Sequence, residues 1–102
     1  MSYNVKTIPN FEKQAKKLAK KYVSFKNDLA ELIESLSIDP KQGILIANDC
    51  YKIRLAIKSK NKGKSGGARV ITHVMISNED VYLLSVFDKS DKDNITDAEL
   101  QD

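Results

Sequence analysis

The sequence predicts a single α+β domain over residues 1–102, a helical hairpin packed on one face of a mainly antiparallel, four-stranded sheet. Three observations predict it. Apolar residues recur at helical spacing between Phe11 and Leu36. From Cys50 onward the apolar period falls to two. A chain of 102 residues can also bury one core without metal or disulfide support.

Residues Tyr3 to Ile8 alternate weakly and stop at Pro9, which reads as a short first strand. Asn10 is then the expected N-cap of a helix whose stripe is Phe11, Ala15, Leu18, Ala19 and Tyr22, with Lys13, Lys16, Lys17, Lys20 and Lys21 outside it. After a break at Val23 and Ser24 the stripe resumes with Phe25, Leu29, Leu32, Ile33 and Leu36. Ser24 is its expected N-cap, and Pro40 lies past its end. Two helices joined so tightly fold back as a hairpin and need a shared surface to bury against.

The second half of the chain supplies that surface. Tyr51, Ile53, Leu55 and Ile57 face one way, and Lys52, Arg54, Ala56 and Lys58 the other. Ser59 to Gly67 contains three glycines and no apolar residue, so it is a loop between strands. Ala68 to Ile76 is the next strand, with Val70, Thr72, Val74 and Ile76 expected toward the helices and Arg69, Ile71, His73 and Met75 away from them. A turn at Asn78 to Asp80 leads to a last strand, Val81 to Lys89. There Tyr82, Leu84 and Val86 are expected on the helix side, and Leu83, Ser85, Phe87 and Lys89 on the other. Thr96-Asp97-Ala98-Glu99 matches a capping box with few residues after it, so any C-terminal helix is short or absent.

The net charge is +3, but the charges are sorted along the chain. Lys52 to Arg69 holds seven basic residues and no acid, whereas Glu79 to Asp102 holds eight acids against two lysines. A polyanion is attracted to the first segment and repelled by most of the second. No apolar run is long enough to span a membrane and the N-terminus lacks a signal-peptide core, so a cytoplasmic location is expected. Cys50 is the only cysteine and has no His or Cys cluster beside it in sequence, which argues for a buried thiol and against a metal site.

Two local motifs fail on inspection. Gly63-Lys64-Ser65 is similar to the end of a phosphate-binding P-loop, but position 58 is lysine where glycine is needed, and a strand follows instead of a helix. The acidic run Asp88 to Asp97 does not fit a calcium loop. A frame begun at Asp91 puts Ile95 at a ligand position and Thr96 where glycine belongs, so the run reads as a solvated or partner-facing tail.

The basic residues carry more. Under the facing above, Lys52, Arg54, Lys58, Arg69 and Lys89 come from three strands and converge on one side of the sheet, as an anion site requires. For RNA, attack of the 2′-hydroxyl on its own phosphate needs a base, positive charge around the phosphorane and an acid for the departing 5′-oxygen. No metal or other cofactor is obligatory. Arg54 and Arg69 are the candidates for charge stabilisation. Lys89 and Lys92 are the candidates for proton transfer, since lysine crowded by cations loses its proton more easily. Lys52, Lys58, Lys60, Lys62 and Lys64 would contact the RNA backbone, with His73 and Phe87 as further RNA contacts.

The runs Tyr51-Lys52-Ile53-Arg54-Leu55, Gly63 to Ile71, Val81-Tyr82-Leu83-Leu84 and Asp88-Lys89-Ser90-Asp91-Lys92-Asp93 together resemble the RelE/HigB toxins of bacterial toxin-antitoxin modules. The resemblance spans about half the chain. It implies a helical hairpin on a twisted sheet, a cognate antitoxin, and cleavage of messenger RNA on the ribosome. Toxins of this type often carry aromatic hydroxyls where this chain has Thr72 and Phe87, and phenylalanine keeps only the stacking surface. Two other readings share the fold: a ParE-like toxin that inhibits a protein such as gyrase, and a protein that binds RNA or ribosomes without cutting.

Overall fold

Proline at position 9 explains the first junction in the computed structural model, which describes residues 2–61, 63 and 66–90. Lacking an N–H, it ends strand β1 (Asn4–Thr7), and the same deficit is harmless at the first turn of helix α1 (Pro9–Lys21). The expected N-cap Asn10 therefore lies inside the helix, where its Nδ2 donates to the Leu84 carbonyl at 3.3 Å. Helix α2 (Phe25–Ile38) starts after Ser24 as expected, but the hydroxyl caps no helix N–H. It donates to Asp28 Oδ2 (2.8 Å) and accepts from the Ser59 N–H (2.8 Å), stitching the start of α2 to a distant turn.

The sheet has five strands, in the order β1-β5-β4-β3-β2, one more than expected. Strand β5 (Asp80–Asp88) runs parallel to β1 and antiparallel to β4 (Ala68–Met75), which pairs antiparallel with β3 (Cys50–Leu55). The additional strand is β2 (Ile44–Ala47), antiparallel to β3 at the edge. Its four residues are apolar without alternation, and Ile44 and Leu45 remain exposed, so no period-two signal marked it.

Phe11 and Leu18 of α1 and Phe25, Leu32 and Leu36 of α2 are buried against Ile53, Leu55, Val70, Leu83 and Val86. In β4 the helix-facing phase is the expected one as far as Val74. Ile76 departs from it, because the strand ends at Met75 and Ile76 starts an exposed 3-10 turn (Ile76–Asn78). In β5 the expected phase holds only at the C-terminal end. The register shifts between Ile71 and Thr72, which pair with Ser85 and Leu83, so Leu84 is an extra residue on β5. Such a bulge reverses the alternation. Leu83 and Val81 are consequently buried toward the helices, and Tyr82 and Leu84, expected there, are not in the core cluster. No helix among the described residues is long and apolar enough to cross a membrane.

Candidate nucleic-acid interface

Strands β3 and β4 pair without interruption from Cys50↔His73 to Leu55↔Ala68. Ile53 and Leu55 point to the helices, so Lys52 and Arg54 point away from them. Extending the ladder into β5 gives three rows across the outward face. They are Arg54–Arg69–Phe87, then Lys52–Ile71–Ser85, then Cys50–His73–Tyr82. The first row sets two guanidinium side chains directly opposite each other, an arrangement that costs stability between strands. Arg54 is exposed. Arg69 is buried, with Nη1 donating to the Ala68 carbonyl at 3.1 Å. Phe87 is buried beside it, and Lys52 and Lys89 are half-buried.

Local backbone fixes this register. The Lys89 N–H donates to the Gly67 carbonyl at 3.0 Å, closing β5 onto the start of β4. A Cβ at Gly67 would lie 2.1 Å from the Leu55 carbonyl oxygen, so only glycine lets β3 and β4 approach there.

Two of the expected RNA contacts lie elsewhere. Alternation carried past Leu55 would place Lys58 on the outward face. The strand instead ends there, and a 3-10 turn (Lys58–Lys60) swings toward α2. Lys58 Nζ sits 3.1 Å from Glu31 Oε2, and its N–H donates to Asp28 Oδ2. Lys60, expected to grip RNA backbone, is 2.7 Å from Asp88 Oδ1 and 5.3 Å above the Tyr22 ring, with its side chain 9% exposed. Lys62, Lys64, Lys92 and the capping-box segment lie outside the described residues.

Asp88 is the residue that sequence reasoning misplaced most. Taken as the start of a solvated tail, it is in fact fully enclosed. Besides Lys60 it accepts from the Tyr22 hydroxyl and from the N–H and hydroxyl of Ser90 (3.0 and 2.8 Å). Burial by itself would raise its pKa. The hydrogen bonds from Lys60, Tyr22 and Ser90 override that and hold the carboxyl well below the usual carboxylate range. The signal was present in the alternation, since Asp88 stands two residues after Val86 in the helix-facing phase.

His73 occupies the third outward row, with Nδ1 3.5 Å from Cys50 Sγ. Thr72 is buried in the helix-facing phase of β4, so its hydroxyl adds nothing to the outward face.

Residues 10–102 match the family model described as the RelE toxin of the RelE / RelB toxin-antitoxin system. No curated protein matches the chain. A double-arginine mutant of the E. coli toxin RelE in the free state superposes with a TM-score of 0.67 at 21% identity, covering 90% of this chain and 88% of that one. The isolated E. coli RelE toxin gives 0.66 at 18% identity over 98% and 94%. The intact E. coli RelBE toxin-antitoxin complex gives 0.55 at 26% identity over 85% and 96%.

Proposed function

From the premise that the chain belongs to the RelE toxin family, we propose that it is a metal-independent endoribonuclease that cuts messenger RNA on the ribosome and so inhibits translation. The observation that carries this reading is the cross-strand row Arg54–Arg69–Phe87, flanked on the same face by Lys52 and Lys89. The acid nearest in sequence, Asp88, is turned to the opposite face and neutralised there.

In the reaction, the substrate's 2′-oxygen forms a bond to the adjacent phosphorus while the bond from phosphorus to the 5′-oxygen breaks. The products are a 2′,3′-cyclic phosphate and a 5′-hydroxyl. The 2′-proton passes to a base, and an acid returns a proton to the 5′-oxygen. Arg54 supplies exposed charge to the non-bridging oxygens. Arg69, buried beside it in the same row, adds positive charge from behind. Lys89, next to this row, is the described candidate for proton transfer, Lys92 being the other. Phe87 gives a base a stacking surface but no hydroxyl. A cognate antitoxin is the proposed partner, as RelB is for the E. coli protein in its complex.

The test is to map 5′ ends of a message on programmed ribosomes with wild-type protein, Arg54→Ala and Arg69→Ala. Wild-type protein is expected to create new 5′ ends that both variants lose. Uncut message with wild-type protein at stoichiometric amounts, despite salt-sensitive RNA binding, would overturn the catalytic claim and leave a binding protein.

A further inference from the structure

The third outward row has no role in the chemistry just described, yet it is built. Cys50, His73 and Tyr82 stand side by side on β3, β4 and β5, and Lys6 of β1 extends the row, paired with Tyr82 and 5.9 Å above its ring. Lys6 is held in turn by Asp80 at 3.3 Å. His73 and Tyr82 are half-buried. Cys50 Sγ lies 3.5 Å from His73 Nδ1, and burial, helped by the charge of Asp49, pushes the thiol's pKa up and keeps it protonated. Sulfur is a weak acceptor, so we assign the S–H as the donor and Nδ1 as the acceptor. An imidazole that accepts at Nδ1 carries its proton on Nε2. No partner for Nε2 exists among the described residues.

Resting on the RNA-binding reading of this face, we infer that His73 and Tyr82 form a nucleobase subsite that selects a keto-bearing base. Tyr82 gives the base a stacking surface, the His73 ring meets the base edge-on so that its Nε2–H donates to the keto oxygen in the base plane, and Lys6 lies toward the adjoining phosphate. Uracil offers an acceptor at O4 and guanine at O6, whereas cytosine and adenine present amino groups at those places. A donor facing an amino group is left unpaired, which is the source of discrimination. Four residues of β4 separate His73 from Arg69, about 13 Å at the usual strand rise. The selected base therefore lies beyond the nucleotides at the scissile phosphate and reads sequence at a distance from the cut.

Uridine and cytidine oligomers isolate the point, because the two bases have the same size and differ at the group in question. Fluorescence anisotropy at fixed salt would compare labelled oligouridylate with oligocytidylate on wild-type protein, His73→Phe and Arg54→Ala, with thermal melts to check folding. His73→Phe keeps an aromatic ring and removes the donor. Wild-type protein is expected to prefer uridine by about two- to tenfold, the worth of one net hydrogen bond. That ratio should fall to about one in His73→Phe and persist in Arg54→Ala, whose affinity for both oligomers drops together. A wild-type ratio of one, or an unchanged ratio in His73→Phe, overturns the subsite and leaves the nuclease reading standing. If wild-type protein binds neither oligomer, the RNA-face reading falls and takes the subsite with it. Nothing in this measurement depends on cleavage.

Discussion

On the helix side of the sheet, Lys60 reaches a buried carboxylate that also accepts from Tyr22 and Ser90. On the outward side, Arg54 stands opposite Arg69, and Arg54 makes no ion pair among the described residues. Both cations come from one acid-free stretch of sequence, yet the fold treats them oppositely. Where the chain buries Asp88, it surrounds the carboxylate with Lys60, Tyr22 and Ser90. On the outward face it leaves Arg54 exposed, across from the buried Arg69, where an anionic ligand can reach it.

The sharpest way to break this contrast is to remove the shared acceptor. Asp88→Ala would strand Lys60 beside Tyr22 with no anion, and removing one partner of a buried pair typically costs about 3–5 kcal/mol. Urea unfolding is expected to show most of that loss. The pH dependence follows from the same group. In the unfolded chain the carboxyl titrates near 4, while in the fold its pKa is lower still. The unfolded state therefore binds the extra proton first as pH falls. The Asp88 contribution is complete above about pH 5 and is lost progressively on acidification below about 4. Asp88→Asn should flatten that acid limb, and an unchanged slope would remove Asp88 as its source.

The second prediction concerns the outward face. Arg54→Ala should weaken RNA binding by about 1.5–3 kcal/mol, the usual worth of a hydrogen bond to a charged group. Stability should stay within about 0.5 kcal/mol of wild type, because Arg54 is exposed and makes no ion pair among the described residues. A filter-binding titration paired with a melt reads both. Loss of stability comparable to Asp88→Ala would show that Arg54 is structural and end the contrast.

What the sequence disclosed follows the same division. The placement of Arg54, Arg69 and Phe87 on one face was legible because β3 and β4 alternate strictly and β5 keeps its phase near Val86. Leu83 and Tyr82 were inverted because a bulge at Leu84 leaves no mark in an apolar run. Strand β2 escaped because four unalternated apolar residues resemble a loop edge as much as a strand. Lys58 and Lys60 were misassigned for a different reason. Alternation continues correctly to the buried Ile57, but what turns the chain afterwards is long-range, the acceptors Asp28 and Asp88 lying 30 and 28 residues away.

The smallest expected effect tests that last point most directly. Lys58 and Glu31 are both mostly exposed, so their pair is worth under about 1 kcal/mol and is screened by salt. The structural contribution at this position comes from the Lys58 backbone N–H to Asp28, which a side-chain change leaves in place. Lys58→Ala should therefore move the melting midpoint by no more than a degree or two and leave RNA affinity close to wild type, in contrast to Arg54→Ala four residues earlier. The two variants differ by one turn of chain and the same nominal charge, so unequal RNA affinities would trace to the face each residue occupies. If Lys58→Ala weakened RNA binding as much as Arg54→Ala, the turn would have to present Lys58 to RNA, and the division of charges between the two faces would fail.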